Sequence, residues 1–214
     1  MRGVFITFEG CDGSGKSTQI KRVSEALRER GVQVLTTREP GGTPFGEVVR
    51  GVLLDPAGPE RTPLAETLMY SAARAEIVAQ VIRPALLQGR VVLAERFCDS
   101  TTVYQGYAGG IAIPDIETIN RISTGGLTPD LTFVLDLSDP QVFHARLSPK
   151  QKDKIESRDD EYHRRVRQGY RDLALRYPER MHVIDASLTE DEVFKAVMSV
   201  IVRFIDRLQR GDAR

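Results

Sequence analysis

Five short apolar runs, rich in β-branched residues, recur along the chain and are separated by segments with helical spacing. They lie at residues 4–9, 32–37, 91–94, 131–137 and 181–185. Their hydrophobicity is nearly continuous rather than alternating, which is typical of strands buried on both faces. The pattern predicts an α/β fold in which a mainly parallel sheet is covered by helices on both sides.

Three helices can be assigned from apolar periodicity and end signals. The first follows a glycine-rich loop, has one apolar face and stops at Gly31, a residue suited to a left-handed helix end. A longer helix is predicted from about residue 63 to 88, with Tyr70 and Arg74 on one face because they are four residues apart. The last begins with a capping box at 189–192 and continues with an apolar stripe.

Composition limits the classes of protein that fit this pattern. The 214 residues are 41% apolar and show no repeat, low-complexity tract or linker, so a single domain over 1–214 is expected. Thirty basic residues balance thirty acidic ones, so no overall field predicts a nucleic acid or a membrane as partner. The chain start leaves no room for a secretory signal, no apolar run is long enough to span a membrane, and Cys11 and Cys98 lack metal-ligand spacing. A soluble, cytoplasmic protein in a reducing compartment is therefore expected.

A glycine-rich loop ending in Lys-Ser is the strongest chemical motif. Residues 10–17, GCDGSGKS, match the pattern Gly, four residues, Gly-Lys-Ser between a predicted strand and a predicted helix. The glycines let backbone N–H groups turn toward phosphate oxygens, while Lys16 is expected to reach the β- and γ-phosphates and Ser17 to ligate Mg²⁺. The residues predicted to bind ATP here are Gly10, Cys11, Asp12, Gly13, Ser14, Gly15, Lys16, Ser17 and Thr18.

Asp12 is unexpected in a loop suited to phosphates. A carboxylate about 4 Å from a phosphate charge costs roughly 4 kcal/mol at an effective dielectric near 20. Asp12 must therefore be directed at something other than the bound anion.

Phosphate binding alone does not make an enzyme, and a GTPase-like switch is one alternative. The sequence argues against it, because the guanine-reading element Asn-Lys-x-Asp cannot form when the only asparagine, Asn120, precedes Arg121. A nonenzymatic ATP-driven scaffold stays open, and a missing phosphate acceptor would be its signature.

Two further stretches look suited to a second anion. TREPGGT (37–43) puts Arg38 just past the second strand, and AERFCDST (94–101) puts Glu95 and Arg96 at the same edge of the third. Arginine forks at that edge can bridge two phosphates. Each stretch alone is equally consistent with a surface ion pair between neighbouring residues, but together they favour function.

Over about residues 4–184 the chain resembles the thymidylate kinase family in an ordered series of motifs. They read FEGCDGSGKST, TREPGGT, YSAAR, ERF, STTVYQG and PDLTFVLDL. The resemblance implies the P-loop nucleoside monophosphate kinase fold with sheet order 2-3-1-4-5. It also implies transfer of the γ-phosphoryl group of ATP to dTMP, giving dTDP, with Mg²⁺ as cofactor and a homodimer as the assembly.

The resemblance implies how the acceptor phosphate and the metal are held. Arg38 and Arg96 would hold the phosphate of dTMP, and Arg96 would also touch the transferred group. Asp12 would contact the 3′-hydroxyl of the acceptor sugar and help to position magnesium, partners that favour a negative charge. Glu95 stands where the family usually has aspartate, so its extra methylene would shift a magnesium-bound water.

The nucleosides have implied contacts too. Tyr70 would stack on thymine, Arg74 would hydrogen-bond the base, and Tyr104 would press against the sugar where a ribose 2′-hydroxyl would sit. Arg146 would pack on adenine. The remaining substrate contacts are expected from Ser100, Thr101 and Gln105.

Residues 146–158 resemble the family's lid, which closes over ATP and excludes water. Taken alone, the same residues indicate a solvated charged loop. Some relatives carry an arginine directly after the loop acid, where this chain has Gly13, so the missing cation is expected from the lid. The candidates for this catalytic cation are Lys150, Lys152 and Lys154.

The nucleophile in such a transfer is a phosphate oxygen that is already anionic at neutral pH. No general base is expected, and catalysis amounts to positioning and electrostatics supplied by Lys16, Arg38, Arg96 and Mg²⁺. A deoxynucleoside kinase is the alternative enzyme, in which Glu39 or Glu95 would act as base toward a neutral 5′-hydroxyl.

Overall fold

The computed structural model describes residues 3–137, 154–155 and 157–210. Five strands form one sheet: β1 (Val4–Glu9), β2 (Val34–Arg38), β3 (Val91–Glu95), β4 (Leu131–Asp136) and β5 (Met181–Asp185). Every neighbouring pair is parallel and the order is β2-β3-β1-β4-β5, so the predicted topology is confirmed. The single-domain extent of 1–214 stays a prediction.

Eight α-helices and two π-helical segments lie among the described residues. The α-helices are α1 (Lys16–Glu29), α2 (Pro44–Leu54), α3 (Pro63–Ile77), α4 (Arg83–Leu87), α5 (Cys98–Thr101), α6 (Ile113–Thr124), α7 (Asp160–Arg176) and α8 (Glu190–Arg210). The π-helical segments are Val78–Ile82 and Thr102–Ala108. In this part of the chain, no helix combines the length and apolarity needed to cross a membrane.

Alternate residues of each strand point to opposite faces of the sheet, and helices pack against the apolar side chains on both faces. Ile6 and Phe8 of β1 pack in a cluster that includes Val23 of α1 and residues of α8. Phe5, which directly precedes Ile6, packs in a second cluster with Val92 and the first π-helical segment. Burying one such side chain contributes roughly 1.5–3 kcal/mol, so both layers stabilise the strands that carry the site.

The long helix predicted from 63 to 88 is not α-helical throughout. It is α-helical to Ile77, widens into a π turn over Val78–Ile82, and resumes as α4 with Pro84 in its first turn. Proline lacks an N–H and its ring crowds the carbonyl four residues earlier, so a wider turn accommodates it.

Two predicted strands extend one residue further at their carboxyl ends. β2 ends at Arg38 and β3 at Glu95, and these two residues are partners in the sheet register. Arg38 and Glu95 are therefore held by the ladder itself rather than by the loops that follow. Next to β3 lies β1, whose last residue leads directly into the glycine-rich loop.

Both predicted helix ends are confirmed. After α1, Gly31 has φ 78° and its N–H donates to the Arg28 carbonyl over 2.9 Å, which closes a left-handed helix end. Before α8, Thr189 N–H donates to Glu192 Oε2 over 3.0 Å and Glu192 N–H to Thr189 Oγ1 over 3.3 Å, a reciprocal capping box.

Candidate active site

A cleft of about 260 Å³ opens at the carboxyl ends of β1, β2 and β3. Open α/β sheets bind their ligands at this edge. Eleven residues predicted from the sequence line the cleft: Asp12, Ser17, Arg38, Tyr70, Arg74, Glu95, Arg96, Ser100, Thr101, Tyr104 and Gln105. The fold therefore brings the phosphate loop and the predicted acceptor residues to one opening.

The glycine-rich loop has a backbone that only glycine adopts without strain. Gly10, Gly13 and Gly15 have φ values of 127°, 75° and 89°. A Cβ at Gly10 would lie 2.4 Å from the carbonyl oxygen of Leu135, so a larger residue there would displace β4 from the loop. Because α1 begins at Lys16, its unpaired N–H groups lie at the end of this loop.

Lys16 lies buried beneath the loop. Its ammonium donates to the carbonyl oxygens of Gly10 over 3.2 Å and Cys11 over 2.9 Å, and it lies 3.8 Å from the Asp12 carboxylate. Burial and the charge of Arg96 lower the pKa of Lys16, while Asp12 raises it. The lysine is thus preorganised at the loop that is expected to hold the donor phosphates.

Asp12 lies between two cations. Its Oδ1 accepts a hydrogen bond from Arg96 Nη2 over 2.6 Å, and Lys16 is on its other side. Burial raises the pKa of Asp12, but the charges of Arg96 and Lys16 outweigh it and lower the pKa to about 2. These cations explain how an acid is tolerated in a phosphate loop. Its expected contacts with a sugar hydroxyl and with magnesium stay predictions.

Arg96 is held in an unusual backbone conformation, with φ 67° in the left-handed region. Its Nη1 donates to Ser100 Oγ over 3.1 Å and to the Tyr170 hydroxyl over 3.4 Å. The guanidinium carbon lies 5.1 Å from the centre of the Tyr104 ring, within cation–π range. With Asp12 on Nη2, the guanidinium is fixed from three directions.

Arg38 and Glu95 do not form the ion pairs with their chain neighbours that the sequence left open. Arg38 Nη2 instead donates to both carboxylate oxygens of Glu47 at 3.0 Å, with about half of each side chain exposed. Glu95 Oε2 accepts a hydrogen bond from Ser17 Oγ over 2.7 Å. The interpretation of these stretches as local surface ion pairs is therefore wrong.

The contact between Ser17 and Glu95 bears on metal binding. Among residues 3–137, 154–155 and 157–210, no three or more His, Cys, Asp or Glu side chains cluster as a metal site. Mg²⁺ is usually held by one or two protein oxygens together with waters and substrate phosphates, so such a cluster is not required. Because Ser17 donates its hydroxyl hydrogen to Glu95, its oxygen lone pairs face outward, and this donor set fits Mg²⁺.

Arg74 is almost entirely buried and nearly saturated with hydrogen bonds. Nε donates to Glu39 Oε2 over 2.8 Å and Nη1 to Asn120 Oδ1 over 3.0 Å. Nη2 donates to the Phe97 carbonyl over 3.2 Å and to Thr101 Oγ1 over 2.9 Å. Four of the five N–H donors of the guanidinium are thus used within the described part of the chain, which leaves one on Nη1 for a ligand.

The second π-helical segment presents Tyr104 and Gln105 to the cleft. Tyr104 is buried, and its carbonyl accepts a hydrogen bond from the Tyr162 hydroxyl over 2.9 Å. No sequence signal predicted this π helix, although the motif that contains it was identified. Tyr70 of α3 lines the same cleft.

Only the end of the predicted lid lies among the described residues. Lys154 Nζ donates to the carbonyl oxygens of Gly58 over 2.7 Å and Pro59 over 2.9 Å, in the loop between α2 and α3. Ile155 next to it lines the cleft. The three other lid residues named above lie outside the described residues: Arg146, Lys150 and Lys152.

Sequence reasoning missed three residues of the site: Glu9, Asn120 and Tyr170. Glu9 is fully buried, and burial together with the charge of Asp99 raises its pKa to about 7, against the opposing effects of Ser100 and Arg96. The available signal was an acid at the end of a buried strand whose other residues, apart from Thr7, are apolar. Asn120 and Tyr170 lie on helices far along the chain and have no local signal.

Comparison with known proteins gives a consistent result. The family model described as thymidylate kinase matches residues 8–197. The chain is 49% identical to a thymidylate kinase of Symbiobacterium thermophilum, with 97% of each chain covered, and 48% identical to one of Pelotomaculum thermopropionicum, with 100% of each covered. It is also similar to the crystal structure of a thymidylate kinase from Ehrlichia chaffeensis, with TM-score 0.75 and 36% identity over 94% of this chain and 99% of that one.

Proposed function

The chain belongs to the thymidylate kinase family and is a phosphotransferase that phosphorylates dTMP with ATP, and we propose that the cleft at the sheet edge is where it does so. The observation that carries this proposal is the 2.6 Å hydrogen bond between Arg96 and Asp12. It joins the phosphate loop to the acceptor side. Two nucleotides bound on either side of this contact would meet phosphate to phosphate.

On the donor side, the loop and Lys16 bind the triphosphate of ATP. Backbone N–H groups at the start of α1 supply hydrogen bonds and partial positive charge. Lys16 neutralises charge that builds up on the β- and γ-phosphates.

On the acceptor side, Arg38 and Arg96 hold the phosphate of dTMP. The attacking oxygen is already anionic, so the chain has to align two charged groups rather than remove a proton. Arg96 is the better placed of the two for the transferred group, because it contacts the phosphate loop through Asp12. Arg38 would exchange its exposed pair with Glu47 for the substrate, which costs little since such pairs contribute about 0–1 kcal/mol.

The thymine would lie between Tyr70 and Arg74, with Thr101 and Gln105 at its polar edge. The remaining Nη1 hydrogen of Arg74 supplies a donor at a fixed point, since the rest of the guanidinium is bonded to protein. Tyr104 is buried against the wall and excludes a larger sugar. These contacts would select dTMP over ribonucleotides.

Mg²⁺ would be held by Ser17, with Glu95 and Asp12 acting directly or through water. When bound, the ion would supply positive charge that offsets the negative charge of the donor phosphates. The Ser17–Glu95 hydrogen bond orients the serine hydroxyl, and Asp12 stays ionised because its pKa is lowered. Residues 146–158 would close over ATP and exclude water, with a lysine of this lid adding the cation that Gly13 does not provide.

A homodimer in the cytoplasm completes the proposal, with neither nucleic acid nor membrane as partner. An apolar face formed by α2 and α3 supports the dimer. Phe45, Val48 and Val52 of α2 are 49%, 68% and 44% exposed, and Leu64 and Leu68 of α3 are 51% and 52% exposed. A second copy that covers this face would remove it from water.

ADP release with a panel of acceptors tests the proposed function. We expect turnover with dTMP to exceed that with dUMP, dCMP, UMP and AMP. Preference for another acceptor would overturn the assignment of the cleft. Phosphorylation of thymidine itself would instead support the deoxynucleoside kinase alternative, and ATP binding without any acceptor-stimulated ADP would support a nonenzymatic role.

A further inference from the structure

The turn that carries Arg96 is hydrogen-bonded to the end of β1 through two consecutive N–H groups. Arg96 N–H donates to the Phe8 carbonyl over 2.9 Å, and the next N–H, that of Phe97, donates to Glu9 Oε1 over 2.7 Å. One bond is made by the backbone of β1 and the other by its last side chain. The left-handed conformation of Arg96 costs free energy and persists because surrounding bonds hold it. Glu9 accepts one of the two N–H bonds that hold this turn against β1.

The second oxygen of Glu9 acts on the side chain of Arg96. Ser100 Oγ donates to Glu9 Oε2 over 2.6 Å and the Tyr170 hydroxyl does so over 3.0 Å. Both hydroxyl oxygens then accept from Arg96 Nη1. A hydroxyl has one hydrogen, so donating it to the carboxylate turns lone pairs toward the guanidinium.

We propose that Glu9 is the positioning residue for Arg96 in phosphoryl transfer. One carboxylate oxygen holds the backbone turn, and the other sets the polarity of the two hydroxyls that aim the guanidinium. Glu9 is fully buried and its contacts are with protein groups, so it acts through Arg96 and not on the nucleotides. This inference rests on the proposed function and adds a residue to it.

The choice of a carboxylate at this position follows from the direction of the hydrogen bonds. All three groups that meet Glu9 are donors: one N–H and two O–H. An amide with its NH₂ toward the hydroxyls would deprive both of their acceptor, and only one of their hydrogens could turn to the other hydroxyl, 2.9 Å away. An amide with its NH₂ toward Phe97 would set two donors against each other. Burial and the charge of Asp99 raise the pKa of Glu9 to about 7, while the hydrogen bonds from Ser100 and Phe97 and the charge of Arg96 favour the ionised carboxylate.

Glu9→Gln tests the proposal with kcat and the two KM values as readouts. We expect kcat to fall about tenfold to a hundredfold, as for a misplaced transition-state donor, with KM for ATP within about twofold of wild type. The matched control is Asp130→Asn. Asp130 also accepts a strand N–H, from Phe5 over 2.8 Å, at the opposite end of β1, and its substitution should leave kcat within about twofold.

A double-mutant cycle separates positioning from general stabilisation. In an Arg96→Ala background, Glu9→Gln should change kcat by less than about twofold, because the group that it positions is gone. Equal losses in both backgrounds, or wild-type kcat in Glu9→Gln, would overturn the assignment. If Glu9→Gln does not fold, Tyr170→Phe reads the same network, and an unchanged kcat there would overturn it as well.

Wild-type turnover distinguishes this test from that of the proposed function. A wild-type chain that makes no dTDP overturns the proposed function. A wild-type chain that does make it, together with an unaffected Glu9→Gln variant, overturns only the role of Glu9.

Discussion

Arg74 and Glu39 form an ion pair, 2.8 Å from Nε to Oε2, in which the side chains are only 1% and 4% exposed. Burial raises the pKa of Glu39 to about 7, although the charge of Arg74 opposes this. Removing two charges from water is costly, and the pair is retained beside residues that line the cleft. Its physical effect is to hold a guanidinium rigid where a base would bind.

Arg74→Ala should therefore impair binding of the acceptor more than the chemical step. We expect KM for dTMP to rise about tenfold or more while kcat changes less. The variant should also lose about 3–5 kcal/mol of unfolding free energy, because Glu39 is left buried and unpaired. Steady-state kinetics and urea unfolding measure the two effects. The control is Arg164→Ala, which removes an exposed arginine on α7, and equal changes in kcat and KM for Arg74→Ala would contradict the assigned role.

Lys16→Ala should have the opposite kinetic signature. In the proposed function Lys16 would neutralise charge on the transferring group, so its loss should lower kcat by about a hundredfold or more and leave KM for dTMP within a few-fold. Single-turnover measurements with saturating dTMP isolate the chemical step. A rise in KM for dTMP with normal kcat would indicate that Lys16 binds the acceptor, which contradicts its assignment to the donor phosphates.

Asp12 should contribute to stability in a pH-dependent way. Its pKa in the folded chain is about 2, below the ordinary value of 3.8, so it stabilises the fold above about pH 4 and loses that contribution as the pH falls toward 2. The stability difference between wild type and Asp12→Asn should therefore be largest at pH 6 and shrink at pH 3. Denaturant unfolding at several pH values measures it. A difference that is constant with pH would exclude the ionised carboxylate as its source.

Ser17→Ala should raise the Mg²⁺ concentration needed for half-maximal rate by several-fold at fixed ATP, and chelation with EDTA should abolish turnover. Ser24→Ala is a matched control on the same helix, since the bonds of Ser24 Oγ stay within that helix: it donates to the Lys21 carbonyl over 2.9 Å and accepts from Arg28 over 3.5 Å. Initial rates across a magnesium titration give both values. Identical titration curves for the two variants would argue against Ser17 as a ligand.

Val48→Glu should convert the proposed dimer to monomers, because it places a charge in the centre of the exposed apolar face of α2. Light scattering during gel filtration reports the mass. Leu175→Glu is the control, since Leu175 of α7 is 81% exposed and lies outside that face. A wild-type chain of monomer mass would reject the dimer directly.

Much of the fold follows from local pattern. The apolar runs specified the strands, and the glycines of the loop specified a backbone that other residues do not adopt without strain. What the sequence could not specify depends on distant partners. Arg38 pairs with Glu47 and not with Glu39, and the π turn at Val78–Ile82 depends on how the chain accommodates a proline.

For the site too, local motifs predicted which residues take part, but not which distant residues they contact. Its residues were identified because motifs at several strand ends meet at one sheet edge, but their mutual contacts were not. The contact of Asp12 with a sugar hydroxyl stays a prediction, and no local pattern indicated that Asp12 pairs with Arg96, 84 residues away. Glu9 belongs to no motif, because the pattern of a buried strand predicts only that its residues lie in the core.

The positive φ of Arg96 sets the cost of its backbone conformation against the bonds that its side chain makes. A left-handed backbone costs a residue with a side chain roughly 1–2 kcal/mol, which glycine avoids. Glycine would remove this backbone cost, but it would also remove the guanidinium that links the two halves of the cleft and pairs with Asp12. The strained backbone at this position is therefore offset by bonds that the side chain makes to Asp12, Ser100 and Tyr170, which glycine would lose.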